Sequence, residues 1–162
     1  MPRLPLLKAL TLCLASAFLP AFSPVFAQQA LPAQPVFDAD LAQSVGADDY
    51  GMRKYVLVVL KTGPKPMPAG PARDAMFKGH FANINRLAAE GKLALAGPFD
   101  GVDGWRGLFI LAVSDIEEAK QLAATDPVIS SGEMVAEYHK YYGSAALMLV
   151  NPAHAKVAKK SF

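Results

Sequence analysis

Two short stretches of the chain, residues 56–60 and 108–113, are apolar at every position. The first lies in a β-branched and aromatic run, residues 54–61, that ends at Gly63 and Pro64, a pattern typical of a β-strand. Successive side chains of a strand point to opposite faces of the sheet, so strands that are apolar throughout need cover on both faces. The chain must therefore build a sheet with neither face fully open to water.

Around these strands, apolar periodicity and turn residues predict six main elements. Strands are predicted at residues 54–61, 93–99, 105–113 and 133–142, and helices at residues 74–90 and from a capping box at residues 114–117, with Ser114 as its first residue, to about Ala124. Gly91 suits the position after the first helix, and Asp126 with Pro127 begins an extra short turn. The order βαββαβ is that of an α+β, ferredoxin-like fold, a four-stranded antiparallel sheet with two helices on one face.

The two predicted helices can cover only one face of that sheet. The simplest cover for the other face is the same sheet of a second copy, so we expect a homodimer through the sheet face, a dimeric α/β barrel. The alternative is that the linker or the tail of the same chain folds back over the sheet.

Residues 1–27 have the pattern of a cleavable signal peptide. Arg3 and Lys8 give a positive start, residues 9–19 are apolar, and small residues precede a cleavage site after Ala27. The apolar stretch is too short to span a bilayer comfortably, so we expect a periplasmic or secreted protein with no stable membrane insertion after cleavage. The alternative is an N-terminal helix that is buried or anchors the chain to a membrane.

The rest of the chain divides into three parts. Residues 28–52 form a flexible linker with a short helix near residues 38–45, in which Phe37 and Leu41 could dock on the domain. Residues 53–145 form the domain, and residues 146–162 form a tail that we expect to be frayed.

The predicted signal peptide, the leader, accounts for both the net positive charge and the single cysteine of the chain. The chain has 162 residues and a formal net charge of +2, and without Arg3 and Lys8 its 14 basic residues equal its 14 acidic ones. The single cysteine, Cys13, also lies in the leader, so no disulfide is expected in the mature protein. A neutral domain does not have the basic face that nucleic-acid binding needs.

Several motifs together resemble the YCII-related family of small dimeric α/β-barrel proteins, over roughly residues 53–144. They are Gly79-His80-Phe81 on the first helix, Gly97-Pro98 after the second strand, Gly107-Leu108-Phe109-Ile110 in the third, Ala124-Thr125-Asp126-Pro127 before the fourth, and Gly132-Glu133-Met134-Val135 with Glu137-Tyr138-His139 within it. The resemblance implies a dimer with a pocket beside the sheet. It also implies an active-site pair of a histidine and an aspartate, which match His80 and Asp126. The wider superfamily includes muconolactone isomerases, lactone-processing dehalogenases and cofactor-free oxygenases.

Each residue of this pair also has a purely structural interpretation. His80 shares the apolar stripe of its helix and could be a core histidine that hydrogen-bonds a backbone carbonyl. Asp126 before Pro127 is an ordinary helix N-cap. In the functional interpretation the carboxylate also accepts the Nδ1 hydrogen of His80, which orients the ring to act as a general base at neutral pH.

Four further residues are weaker candidates for lining a substrate pocket. Trp105 and Arg106 begin the third strand and could bind an acidic aromatic ligand, or simply close a hairpin. Glu137 and His139 alternate with Val135 and Tyr141 on one face of the last strand, which lines either a pocket or a dimer interface.

The sequence predicts no metal site and no cofactor. The three histidines have no zinc-type spacing, and no phosphate-binding glycine loop precedes a helix. No serine lies in a nucleophile elbow, so hydrolysis is disfavoured. We therefore expect an enzyme in which His80 and Asp126 assist proton abstraction, of isomerase or lyase type, on a small carbonyl or lactone substrate. The alternative is a non-catalytic dimer that binds a small ligand or is purely structural.

Overall fold

The computed structural model of the chain describes residues 36–160, and the predicted leader, with its cleavage site and Cys13, lies outside them. Val36 belongs to a separate N-terminal unit, and the unit that begins at Phe37 contains every element of the fold. The strands are β1 (Met52–Thr62), β2 (Leu93–Pro98), β3 (Trp105–Leu111) and β4 (Met134–Ser144), and the α-helices are α1 (Ala39–Ser44), α2 (Pro71–Ala89), α3 (Ile116–Ala124), α4 (Pro127–Ser130) and α5 (Val150–Val157). Short 3₁₀ turns span Val102–Gly104 and Ala145–Leu149.

The four strands form one antiparallel sheet in the order β2-β3-β1-β4. This order and the βαββαβ sequence of the main elements confirm the predicted α+β, ferredoxin-like fold. All four strands and both main helices lie within three residues of their predicted positions. Gly91, with φ of +67°, follows α2 as predicted, and Lys92 N–H donates to Leu87 O at 2.9 Å.

One face of the sheet packs against the helices and forms the main core. Val56, Val58 and Leu60 of β1 alternate onto this face, together with Phe109 and Leu111 of β3. Helix α2 contributes Met76 and Leu87, while α3 and α4 add Ala119 and Val128. This packing holds one side of α2 against the sheet, and His80 lies on that side.

The second face of the sheet is partly covered by the end of the same chain. Tyr55, Ala94, Ile110 and Ala112 are buried there, and Leu147 and Met148 of the 3₁₀ turn pack against them. The alternative that the tail folds back over the sheet therefore holds for part of this face. The rest of it carries large exposed side chains, including Trp105, Val135 and Tyr141.

The C-terminal segment is not the frayed tail that the sequence predicts. Residues 150–157 form helix α5, and Asn151 Nδ2 donates to Leu93 O on edge strand β2 at 2.7 Å. The amide of Asn151 thus satisfies a backbone carbonyl near the start of that strand, a contact that sequence periodicity does not reveal.

Two smaller expectations are also wrong. The N-cap of α3 is Asp115, whose carboxylate accepts from Glu117 N–H and Glu118 N–H, and not Ser114. Helix α1 forms as expected, but Phe37 and Leu41 beside and within it remain exposed. None of the helices within residues 36–160 has the length and apolar character required to cross a membrane.

Candidate active site

A histidine and an aspartate meet in the core between α2 and α4. His80 Nδ1 lies 2.8 Å from Asp126 Oδ2, and both side chains are buried, Asp126 completely. The other carboxylate oxygen, Oδ1, accepts from Val128 N–H at 3.1 Å, which makes Asp126 the N-cap of α4. The structure thus brings the two predicted residues together, and the carboxylate caps a helix and contacts the imidazole at once.

A glycine allows α4 to approach α2 closely enough for this contact. A Cβ atom at Gly79 would lie 3.0 Å from Cγ of Pro127, tighter than ordinary van der Waals contact. Glycine inside a helix costs about 1 kcal/mol relative to alanine, so its presence in α2 calls for such a packing reason. Gly79 precedes His80, and Pro127 follows Asp126, so the close approach lies directly beside the hydrogen bond.

A polar network fixes the turn that carries Asp126. Arg86 Nη2 of α2 donates to Asn83 Oδ1 at 2.8 Å and to the hydroxyl of Thr125 at 3.0 Å. Thr125 immediately precedes Asp126, so α2 holds the position of the aspartate as well as that of the histidine. Residues that orient a reactive group in this way commonly matter to a site as much as the group itself.

The hydrogen bond to Asp126 determines which nitrogen of His80 is left for chemistry. An ionised carboxylate only accepts hydrogen bonds, so Nδ1 of His80 carries the hydrogen that it donates. In the neutral ring, Nε2 then has a free lone pair. The ring packs among Phe77, Phe81 and Phe109, with ring centroids 5.3–6.0 Å away. The phenylalanine rings therefore restrict the orientation of the imidazole, and the carboxylate of Asp126 polarises it through Nδ1.

His80 lines a cavity of about 480 Å³ between α2 and the β2–β3 side of the sheet. Most of its wall is apolar and includes the phenylalanines Phe77, Phe81, Phe99 and Phe109. Arg106 and His154 are polar residues of the wall, and His154 comes from helix α5. A volume of this size fits a small organic ligand.

A β-bulge at the start of β3 gives the two pocket candidates there, Trp105 and Arg106, different surroundings. Leu60 pairs with Gly107 but Lys61 pairs with Trp105, so Arg106 is the extra residue. Arg106 lines the His80 cavity, whereas Trp105 is not among its lining residues. The Trp105 ring instead lies 5.7 Å from Nζ of Lys61.

Glu137 and His139 do not reach the His80 cavity. In the antiparallel register they pair with Val59 and Leu57 of β1, on the face opposite the helices. Glu137 Oε1 accepts from Lys61 Nζ at 2.7 Å, and His139 is exposed. The predicted alternation of β4 is confirmed, and it places Glu137 and His139 on the face opposite the helices, away from the His80 cavity.

A buried glutamate beside the cavity escaped prediction from the sequence. Glu133 is almost fully buried, and its oxygens accept from Met67 N–H at 2.6 Å and from Arg73 Nη2 at 2.9 Å. The Met67 hydrogen bond, with help from Arg73 and Arg106, holds the pKa of Glu133 below its ordinary value against the opposing effect of burial. Its position between Gly132 and the first residue of β4 gives no sequence signal for these hydrogen-bond partners.

The described region offers no cluster of metal-ligand side chains. Within residues 36–160, histidine, cysteine, aspartate and glutamate side chains form no group of three or more that could hold a metal ion. The groups at the cavity whose chemistry the geometry defines are the His80–Asp126 pair and the guanidinium of Arg106.

These features define a class: a ferredoxin-like domain with a buried histidine–aspartate pair at an apolar cavity. The model of the YCII-related domain matches residues 54–139, more than half of the chain, and the chain belongs to that family. It is also similar to the uncharacterized protein YjpA of Bacillus subtilis (strain 168), with 35% identity over 54 residues. That alignment spans 33% of this chain and 61% of YjpA. Helix α5, with His154, lies beyond the matched domain.

The buried glutamate, Glu133, is expected to stabilise the folded protein. Glu133→Gln should lower the free energy of unfolding by about 2 kcal/mol at neutral pH, because the charge-assisted bonds to Met67 and Arg73 are weakened. Urea unfolding measures the loss, with Glu117→Gln as a control at an exposed glutamate.

The pH dependence of this loss has a defined sign. Since the folded-state pKa of Glu133 is lowered, its contribution to stability is complete above the ordinary value of 4.5 and disappears as pH falls through the folded-state pKa. The difference between wild type and Glu133→Gln should therefore shrink in acid. A difference at neutral pH no larger than that of Glu117→Gln would contradict this role.

Proposed function

We propose that this YCII-related protein is an exported enzyme in which His80 abstracts a proton from the carbon beside the carbonyl of a small lactone or ketone. The observation that carries the proposal is the 2.8 Å hydrogen bond from His80 Nδ1 to the buried carboxylate of Asp126, at the wall of a ligand-sized cavity. Export rests on the signal-peptide pattern of residues 1–27.

The proposed reaction needs only the two side chains. His80 Nε2 accepts the proton, and the electrons of the C–H bond move to the carbonyl oxygen to give an enolate. Asp126 stabilises the imidazolium that forms. In a substrate with a double bond adjacent to that carbon, the enolate is conjugated, and return of the proton to the far end of the double bond gives the conjugated isomer. Atoms and electrons then balance without an oxidant or a second substrate.

The apolar cavity supports this chemistry. Its wall is mainly apolar, with four phenylalanines, so a bound substrate would displace water from the side of the imidazole. Asp126 is fixed on both oxygens, by His80 and by Val128 N–H, so it holds one orientation of the imidazole before a ligand arrives. Such preorganisation is what a general base needs.

The test follows isomerisation of α-angelica lactone and deuterium incorporation beside its carbonyl by proton NMR. His80→Gln should lower the rate at least about 100-fold, because it removes the base. Asp126→Asn should lower it at least about tenfold while α4 survives, because asparagine is also a good N-cap.

His139→Gln is the matched control, since it changes a histidine on the opposite face of the sheet. It should leave the rate unchanged. Equal rates in wild type and His80→Gln, or no rate above that in buffer for a panel of small lactones and ketones, would overturn the enzyme proposal and favour a binding role.

We further propose that the chain forms a homodimer through the uncovered part of the second sheet face. The support is the apolar character of that region: Trp105, Val135 and Tyr141 are each at least 40% exposed there. The remaining neighbours, Glu137 and His139, provide a polar rim of the kind that interfaces have.

Sedimentation velocity of the mature chain at micromolar concentration tests this assembly. The wild type should sediment as a dimer, and Val135→Asp should sediment as a monomer, because it buries an unpaired charge in the interface. Val157→Asp, at an exposed valine of α5, should remain a dimer. A monomeric wild type contradicts the dimer, and a dimeric Val135→Asp contradicts this face.

A further inference from the structure

The cavity of His80 contains a guanidinium, that of Arg106, whose hydrogen-bond donors are unused among residues 36–160. Among the described residues no side-chain hydrogen bond involves Arg106, and its nearest carboxylate oxygen, Oε1 of Glu133, is 4.0 Å from Nη1. That separation is too long for a hydrogen bond. A guanidinium has five N–H donors, and those of Arg106 are accessible rather than fully buried, so they are open to a ligand in the cavity.

The neighbouring glutamate is already satisfied by other groups. Its two oxygens take Met67 N–H and Arg73 Nη2, while Arg73 also lies 4.6 Å from the centroid of the Phe77 ring. Two guanidiniums therefore share one buried carboxylate, which leaves an excess positive charge on the side of Arg106. None of the described residues that line the cavity is an aspartate or a glutamate.

The backbone directs this charge to the cavity. Arg106 is the extra residue of the β3 bulge, and bulges commonly re-aim a side chain next to a functional site. The side chain is 27% exposed, so its charge is less screened by water than that of a fully exposed arginine, which strengthens its attraction for a bound anion.

We propose that the substrate of this site carries a carboxylate, which Arg106 binds with paired N–H donors while the apolar body of the substrate lies among the phenylalanines. Arginine suits this task because its planar fork matches the two oxygens of a carboxylate. The substrate class becomes a small keto acid or lactone acid. This inference rests on the proposed function for the reaction, but the anion site itself does not depend on proton abstraction.

Binding of 3-benzoylpropionate and of its methyl ester to the mature protein tests the proposal. The acid combines a phenyl ketone with a carboxylate, and the ester differs by the loss of the charge. By calorimetric or NMR titration, wild type should bind the acid at least about tenfold more tightly than the ester. Arg106→Gln should bind the two equally, and Arg106→Lys should retain part of the preference.

Two controls make the result specific. Lys120→Gln removes the same charge from an exposed side chain that pairs with Glu117 and should keep the full preference. His80→Gln removes the base but not the guanidinium, so it should also keep the preference.

The outcomes separate this inference from the proposed function. A preference that survives in Arg106→Gln, or a wild type that shows none, including failure to bind the acid at millimolar concentration, overturns the anion site. A preference lost only in the Arg106 variants supports the site even if no proton exchange is found, in which case the enzyme proposal alone fails.

Discussion

The buried hydrogen bond between His80 and Asp126 is the interaction on which the rest of the site depends. A fully buried carboxylate costs several kcal/mol in desolvation unless its oxygens are paired. Here one oxygen takes His80 Nδ1–H and the other caps α4 through Val128 N–H. The same carboxylate therefore orders a helix and orients an imidazole, and the glycine at residue 79 allows the two helices to come close enough for both.

Buried carboxylate oxygens near the cavity are also paired, but there the positively charged groups outnumber the carboxylates. Glu133 is nearly as buried as Asp126, and its oxygens are likewise occupied, by Met67 N–H and Arg73. The guanidinium of Arg106, on the cavity wall, therefore has N–H donors available for a ligand. If both proposals hold, the base on one wall and the guanidinium on another select a substrate that has both an acidic C–H group and an anionic end.

The sequence was sufficient for the fold because each main element carries its own signal. The strands have apolar runs, α2 has an apolar stripe that ends at Gly91, and the turns are marked by glycine and proline. The local signals of His80 and Asp126, a histidine within an apolar stripe and an aspartate before Pro127, allowed a purely structural interpretation of each. Both depended on resemblance to a family for a joint role.

The misses have physical causes. Glu137 and His139 alternate correctly along β4, but alternation cannot say which face meets the cavity. Glu133 has partners far away in sequence, at Met67 and Arg73, which no local pattern encodes. Pro152 and the three lysines of residues 151–162 suggested a frayed tail, whereas helix α5 is positioned by tertiary contacts such as that of Asn151 with Leu93.

The tautomer of His80 tests the role of the buried hydrogen bond most directly. Two-bond proton–nitrogen correlation spectra of protein labelled with ¹⁵N-histidine distinguish the two ring nitrogens in the neutral imidazole. We expect that the hydrogen resides on Nδ1, that Nε2 is bare, and that Asp126→Asn redistributes the hydrogen between them. A neutral His80 that carries its hydrogen on Nε2 in the wild type would contradict the assignment of Nε2 as the base.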